Sequence, residues 1–556
     1  MRKGSISIIL LMLLVVFTIF SAATFSILKN TENMYFRKIK EENVEFIANN
    51  LLEFSIATVK MGVDNSSNLR EDIFSFKDYS QEVSYIKNVK WPTQTKQFIE
   101  KKVDTKKATI IFSNNKKLST SSFEKLSLKD YYKEFKKYIE SFPNLSVFSA
   151  VYKIKNSGKY LLYVRIKKEN TEFNKIAIFT SEKLNKYIYY SQEEPLIYFT
   201  SNEIIYGPLK SNDYINVYQY SGTDQKFTVL GTLEVPGIKY YNESNNTSTT
   251  YDSQHNPDMV YDLLKLKGNP PVKFVDSDIG FTNIYKDYSS ATSKLVLPLE
   301  DFLNTSTECG IKLPNNAIIT SKVVNGENIL TIYTNGKSYE LSWEVGELPK
   351  ARIRYNGKSN NVKFNGVITS DYDIELTDNN PLQKRLFTYD GNLTIFSKSN
   401  IYINTRIVPY KTLLNVSFDL NKEISLEKTE EIKNFVLNNE DSSLDLVAKN
   451  DVIIRSNKDF SRINNHKIFA NIYSFNGSFR VEDYQNGQKN KQLFIFGSIM
   501  QRKRGPVGLV GQYVPGYYKF YVHDSRALLG RIGTNATPSK KQSIMILYLE
   551  NVINRG

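Results

Sequence analysis

Four aspartates, Asp371, Asp373, Asp451 and Asp524, are the residues of this 556-residue chain best placed to do chemistry. Acid–base cleavage of a glycan needs carboxyls gathered on one surface, as proton donor and as base or nucleophile. Each of the four lies in a short polar bend between apolar runs, where Asp is also favoured for turn geometry alone. The expected role is therefore structural, and no catalytic residue is assigned. His255, His466 and His523 are the only histidines and no two have metal-ligand spacing, so no metal site is expected. Cys309 is the sole cysteine, which excludes an intrachain disulfide and any multi-cysteine metal site. No nucleophile elbow, phosphate loop, metalloprotease helix or dinucleotide fingerprint occurs, so no cofactor is expected.

The elements that would carry these aspartates repeat. Residues 368–376, 396–403 and 447–454 each read as an apolar residue, a small residue, a polar bend and then alternating apolar residues; residues 198–204 are an earlier echo. The small positions are Ser370, Ser397 and Ala448, with looser copies at Ser474 and Ser498, spaced 27, 51, 26 and 24 residues apart. Taking 51 as two turns, one of them unrecognised, gives a period near 25. Such a period predicts a parallel β-solenoid with the small residue inside and the polar residue at the corner, a β-sandwich being the alternative.

The N-terminus predicts membrane insertion. Met1-Arg2-Lys3-Gly4 precedes a 24-residue uncharged run from Ser5 to Leu28, ended by Lys29. As a helix that run is about 36 Å long, enough for a hydrocarbon core of about 30 Å. Three fates fit: a plain anchor, a signal peptide read at Ser21-Ala22-Ala23, or a leader cut between Gly4 and Ser5. Arg2 and Lys3 favour a cytoplasmic tail, but Lys29, Arg37, Lys38 and Lys40 flank the other end, so charge counting leaves orientation open. Beyond Leu28, Phe36, Ile39, Val44, Ile47, Leu51 and Phe54 trace one face of an amphipathic helix.

The segmentation that follows is a leader and membrane helix over 1–28, a stalk helix over 29–63 and an α+β region over 64–194. A β-rich region over 195–350 holds an exposed loop near 241–256, and a solenoid-like domain occupies 351–556. Within the α+β region, Ser127-Leu128-Lys129-Asp130 opens a helix with Tyr131, Phe135, Tyr138 and Ile139 on one face and Pro143 beyond its end. Residues 159–164 and 176–179 read as strands.

Composition sets the outer bounds. Apolar residues at 41% and charged residues at 24% are ordinary for packed domains, so the chain is expected to fold. The net charge of +15 invites a polyanion, but the basic residues are scattered and the densest runs short, so no nucleic-acid partner is expected. With 37 Tyr and 33 Phe against 2 Trp, the chain favours strands, and exposed Tyr could serve as stacking platforms.

Three segments together resemble the minor pilin-like proteins of type IV pili with a K-type or PilX-like N-terminus. These are Lys3-Gly4-Ser5 with the helix to Leu28; Ile204 to Asp213, holding Gly207, Pro208, Asn212 and Asp213, with Phe227 downstream; and Gly516 to Arg526, holding Gly516, Tyr517, Lys519, Asp524 and Arg526. One departure stands out. Major pilins carry glutamate at the fifth mature position, where cleavage after Gly4 would leave Ile9; this suits a tip-located subunit with no neighbour above it. The resemblance implies a non-enzymatic subunit that initiates or caps a pilus or pseudopilus. Its bulk would lie outside a bacterial cell membrane, and its partners would be the membrane, other pilins, prepilin peptidase and a surface ligand of the head. Gly207-Pro208 would then make a tight turn, Asn212-Asp213 would cap a corner, and Asp524 would pair with Arg526. A membrane-anchored adhesin for glycan or host protein is the alternative reading, with a polysaccharide lyase behind it.

Overall fold

The computed structural model describes residues 44–59, 77–78, 85–114, 129–154, 160–169, 171–201, 203–255, 265–266, 272–274, 295–296, 305–348, 350–378, 386–455, 465–486, 491–509, 516–528 and 539–555. Ser5–Leu28 and the cleavage position Gly4/Ser5 lie outside these residues. Among the described residues no helix is long and apolar enough to cross a membrane. The architecture is mainly β and divides into two units, Met1–Ser181 with Gln542–Gly556, and Glu182–Lys541.

The first unit is a sheet in the order Lys77–Asp78, Val103–Ser113, Leu145–Ile154, Tyr160–Lys168, Thr171–Lys183, Ser539–Arg555, with its first five strands antiparallel in succession. Strict alternation covers both faces. Along one strand Val147, Ser149 and Val151 meet one layer, while Phe148, Ala150 and Tyr152 meet the other. The first layer is the helix 44–59, whose buried Val44, Ile47, Ala48, Leu51, Phe54, Ser55 and Val59 recur at three- and four-residue steps. Phe54 stacks on Phe135 at 4.4 Å between centroids, joining it to the helix Lys129–Glu140. The helix Lys129–Glu140 and the strands Tyr160–Lys168 and Thr171–Lys183 fall where the sequence places them, and of the stalk helix expected over 29–63 the described part is 44–59.

In the second unit strands stack in parallel ladders. The first ladder runs in space through Leu295–Val296, Thr305–Leu313, Lys358–Ser370, Asn392–Ser397, Ser443–Ala448, His466–Ser474 and Lys491–Lys503, then through Tyr189–Glu193, Leu209–Ser211, Leu233–Val235 and Val272–Phe274. Its buried column is Ile311, Ile368, Ile395, Leu446, Ile472, Ile499, Tyr189, Leu209 and Leu233 in register, an aliphatic spine of the kind parallel strands covered on both faces require. A second ladder stacks Ala317–Val324, Ile374–Thr377, Ile401–Ile403, Val452–Ile454 and Phe479–Val481. A third passes from Leu386–Tyr389 and Arg406–Pro409 to Tyr517–His523, Ile204–Tyr206 and Thr228–Val229.

Three sequence expectations change. Ser370, Ser397, Ala448 and Ser474 do occupy one column, but Gln501 follows Ser474, and Ser498 pairs with Asn471 instead. Gln501 is accommodated because its Oε1 accepts from Phe479 N (2.9 Å) and its Nε2 donates to Tyr189 Oη (3.2 Å). The 51-residue interval is one turn, since Asn392–Ser397 pairs directly with Ser443–Ala448; the surplus is an insertion holding helices Tyr410–Asn415 and Leu426–Asn439. It covers Phe469, Phe494, Phe496 and Phe520, apolar side chains on the outside of the strands. The echo at 198–204 is split: Ile204 opens a strand of the third ladder, while Tyr198–Thr200 lies in a separate sheet with Ile215–Gln219, Gly237–Asn242 and Thr247–Asp252. Its last two strands form a hairpin, so residues 241–256 hold an edge strand as well as a tip.

A meander over residues 317–370 leaves the second ladder at Ala317–Val324 and rejoins the first at Lys358–Ser370, its middle strands Glu327–Thr334, Lys337–Glu344 and Lys350–Tyr355 pairing only within it, and the 350/351 boundary falls inside it. Its turns Asn325-Gly326, Asn335-Gly336 and Asn356-Gly357 have positive φ at both positions, the geometry of two-residue hairpins.

Candidate functional site

The two exterior motifs singled out by sequence, about three hundred residues apart, meet in the second unit. Tyr517–His523 pairs in parallel with Ile204–Tyr206, with Val522 beside Tyr206. Gly207 follows at the bend with φ +148, and a Cβ there would come 2.4 Å from His523 Cβ; only hydrogen fits. His523 is buried, hydrogen bonds through Nε2 to Asn185 O (2.8 Å), and has its pKa lowered by that burial. Pro208 O accepts from Ile188 N at 2.9 Å, so the Gly-Pro bend also ties back to the preceding turn. Asn212 Nδ2 donates to Tyr190 Oη (2.8 Å), and Asp213 Oδ2 accepts from Glu194 N (3.1 Å), capping the corner of the neighbouring turn.

At the other motif Gly516, at φ +116, lies against Gly508, where a Cβ would come 2.2 Å from Gly508 Cα. Tyr517 is buried beside it, its N donating to Val507 O (3.0 Å). Arg526 donates to both oxygens of Asp524 (Nε 3.0 and 3.2 Å, Nη2 2.6 Å) and through Nη1 to Glu440 O (2.6 Å) at the end of the second inserted helix. The expected pair therefore exists, and it fastens the insertion to the last turn.

Between the motifs lies a buried charge network that sequence reading missed. Arg504 Nη1 donates to Glu194 Oε2 (3.1 Å) with side chains 1% and 0% exposed, and its Nη2 donates to Tyr198 O (3.0 Å). The guanidinium lies 3.5 Å from the centroid of the Phe199 ring, a cation–π contact out of water. Lys519 Nζ pairs with Glu203, whose other oxygen accepts from Thr200 N (3.0 Å). Burial pulls the Lys519 pKa down to about 8 against the opposing pull of Glu203. These charges were invisible as a group because Glu194 and Glu203 lie far from Arg504 and Lys519 in the chain.

The candidate acids lie at corners and are engaged there. Asn316 Oδ1 accepts from Asp373 N (3.1 Å), Asp373 Oδ1 from Asn400 N (3.0 Å), Asn400 Oδ1 from Asp451 N (3.1 Å), and Asp451 Oδ1 from Ser478 N (2.8 Å). Each polar corner thus holds the next rung. Asp371 pairs with Lys312 (3.1 Å) and Lys398 (2.9 Å), and Asp524 with Arg526. Among the described residues no group of three His, Cys, Asp or Glu could hold a metal ion.

A concave surface among the described residues could hold a ligand. The hairpin tip at Tyr333–Lys337 overhangs the second ladder and encloses about 500 Å³ with Asp373, Glu375, Tyr402 and Arg455. Arg455 lies 3.8 Å from the Tyr402 ring centroid and reaches Glu482 (3.3 Å) and Glu375 (3.5 Å). Exposed Tyr333 and Ile318 border it. Aromatic rings beside carboxylates and a guanidinium suit a hydroxyl-rich ligand. The sequence signal was the Asn-Gly turn, which marks the hairpin that makes the overhang.

No family model matches this chain, and no curated protein matches it. Among solved structures, the crystal structure of competence-associated pilin ComZ from Thermus thermophilus aligns over 74% of this chain and 85% of its own, at 11% identity and a TM-score of 0.26. A likeness of that depth carries no argument about fold or role.

Proposed function

We propose that this chain is a minor pilin-like surface subunit, anchored by Ser5–Leu28 in a bacterial cell membrane with its two units outside. The observation that supports this most directly is the helix 44–59 laid along one face of an antiparallel sheet, its apolar side buried. In chain order that helix follows the apolar run, so membrane segment and head would share one helical path. The head would be a parallel β-solenoid. Its ladders suit a stiff exterior, and its aspartates serve corners, which favours a non-catalytic role. Burial of the apolar helix against other pilins on leaving the lipid would drive assembly, after cleavage by prepilin peptidase.

The test is mass spectrometry of the mature N-terminus of membrane-extracted protein. A methylated Ser5 is the expected first residue. An intact Met1 would leave a plain anchor, and a start at Thr24 would exclude assembly through the helix.

The Tyr402–Arg455 cleft favours a second reading, a surface adhesin. Loss of glycan binding in Tyr402→Ala with an unchanged melting temperature would support it; release of shortened glycan would instead indicate a lyase.

A further inference from the structure

We infer that Lys175 and Asn49 become joined by a side-chain amide bond, formed with loss of ammonia and assisted by Glu45, which locks the helix 44–59 to its sheet. All three residues belong to the first unit, and the inference is independent of the pilin reading. Lys175 stands on the strand Thr171–Lys183 between Phe173 and Ala177, beside Val164 of the neighbouring strand, on the face that packs against the helix. Strand alternation thus carries a lysine into an apolar layer, where only 6% of it stays exposed. Its Nζ lies 5.2 Å from the Phe173 ring centroid and donates to Asn49 Oδ1. Glu45 and Asn49 are one helical turn apart, on a stripe that continues through buried Leu52 and Ile56.

The partner is unusual for a buried cation. Arg504 and Lys519 meet the carboxylates of Glu194 and Glu203, whereas Lys175 meets a neutral amide and makes no ion pair among the described residues. An ammonium so placed is poorly compensated for the water it has lost. Burial lowers the Lys175 pKa, against the opposing pull of the Glu45 charge, so the neutral amine is easier to reach than on a surface lysine. A desolvated amine is a nucleophile. The carbon open to it is Asn49 Cγ, one C=O bond of about 1.23 Å beyond the oxygen that Nζ already holds.

The step balances without an oxidant or reductant. Glu45 accepts a proton from the ammonium, freeing the Nζ lone pair to attack Asn49 Cγ. The tetrahedral carbon collapses as Glu45 returns that proton to Nδ2. The Cγ–Nδ2 bond breaks, and ammonia leaves with the surplus Nζ proton as ammonium. Asn49 is exposed, so the leaving group departs into solvent. A buried charge becomes a neutral amide, and residues 126 apart in sequence are tied together. The helix can then leave the sheet only if a covalent bond is cut, and the unfolded chain is constrained as by a disulfide.

The experiment is mass spectrometry of the full chain extracted in detergent, intact and after trypsin. The intact mass, counted from the observed N-terminus, should fall below the sequence value by one ammonia. Trypsin should spare Lys175 and release residues 41–60 joined to residues 169–183. Fragment ions should place the link at Asn49 and Lys175, which separates it from ammonia lost at the Asn-Gly turns. Lys175→Arg and Asn49→Ala should each abolish the joined peptides. Glu45→Gln should cut their yield at least several-fold in protein that still melts cooperatively. Separate peptides 41–60 and 169–175 from the folded wild-type protein would overturn the inference, whatever the variants do to folding. An undiminished link in Glu45→Gln would remove Glu45 from it.

Discussion

Gly207 and His523, 316 residues apart in the chain, touch so closely that the glycine has no room for a methyl group. One belongs to the segment entering the unit, the other to the segment about to leave it. On its far side Gly207 meets Gly231 of the next rung, where an added Cβ would come 2.2 Å from Gly207 O. The corner is a column in which backbone packs on backbone.

Gly207→Ala should therefore destabilise the second unit by about 2–4 kcal/mol, the sum of overpacking and left-handed backbone strain. Thermal unfolding followed by circular dichroism reads this directly. His523→Gly, which removes the opposing Cβ, combined with it should recover part of the loss; if the two penalties simply add, the contact is not the cause.

The Arg504–Glu194 pair predicts an asymmetry. Arg504→Met should cost about 3–5 kcal/mol in urea unfolding, because Glu194 is left charged and dry. Adding Glu194→Gln should return much of it, since Ser191 and Tyr189 already hydrogen bond to that side chain and tolerate a neutral amide. A double mutant no better than the single would refute the coupling.

The corner ladder separates structure from chemistry. Asp373→Asn keeps an acceptor oxygen for Asn400 N and should change stability by less than about 1 kcal/mol. Asn400→Ala removes the acceptor for Asp451 N and the donor to Asp373, and should cost about 1–3 kcal/mol. The reverse ranking in denaturant titrations would show that charge at Asp373 matters for itself.

His466 predicts acid sensitivity. Burial lowers its pKa from 6.5 to about 3, with Arg406 and Lys467 pushing the same way, and neither ring nitrogen has a hydrogen-bond partner. The unfolded chain takes up the proton near 6.5 and the folded chain does not. Stability from this group is complete above that pH and falls as pH drops toward 3, by roughly 3 kcal/mol at pH 4. His466→Phe should flatten that part of the difference between urea midpoints at pH 7 and pH 4; an unchanged difference would exclude His466 as its source.

Much of the local architecture was legible. The helix 44–59 could be read from apolar spacing because its face is buried by a single sheet. The column Ser370–Ser397–Ala448–Ser474 could be read because a crowded interior position repeats a demand for a small side chain at every rung. The reading failed at Gln501, where hydrogen bonds substitute for small size, and across the 51-residue turn, where a helical insertion mimics a missing repeat. The Asn-Gly turns were present in the sequence as hairpin signals and went unused. The charge network had no signal at all, since Glu and Arg on separate strands carry no mark of partnership until those strands are neighbours.

What the sequence determined by itself is therefore whatever depends on near neighbours: the apolar N-terminal run, the amphipathic helix, the strand alternation, and the glycines and corner residues that turns require. Tertiary structure alone decided which rung follows which. Parallel strands pair through backbone hydrogen bonds that any sequence can make, so stacking order is set by side-chain fit between distant segments. That fit placed the rung Tyr189–Glu193 after Lys491–Lys503 and brought Gly207 to His523 and Glu194 to Arg504, neighbours that no local pattern announces.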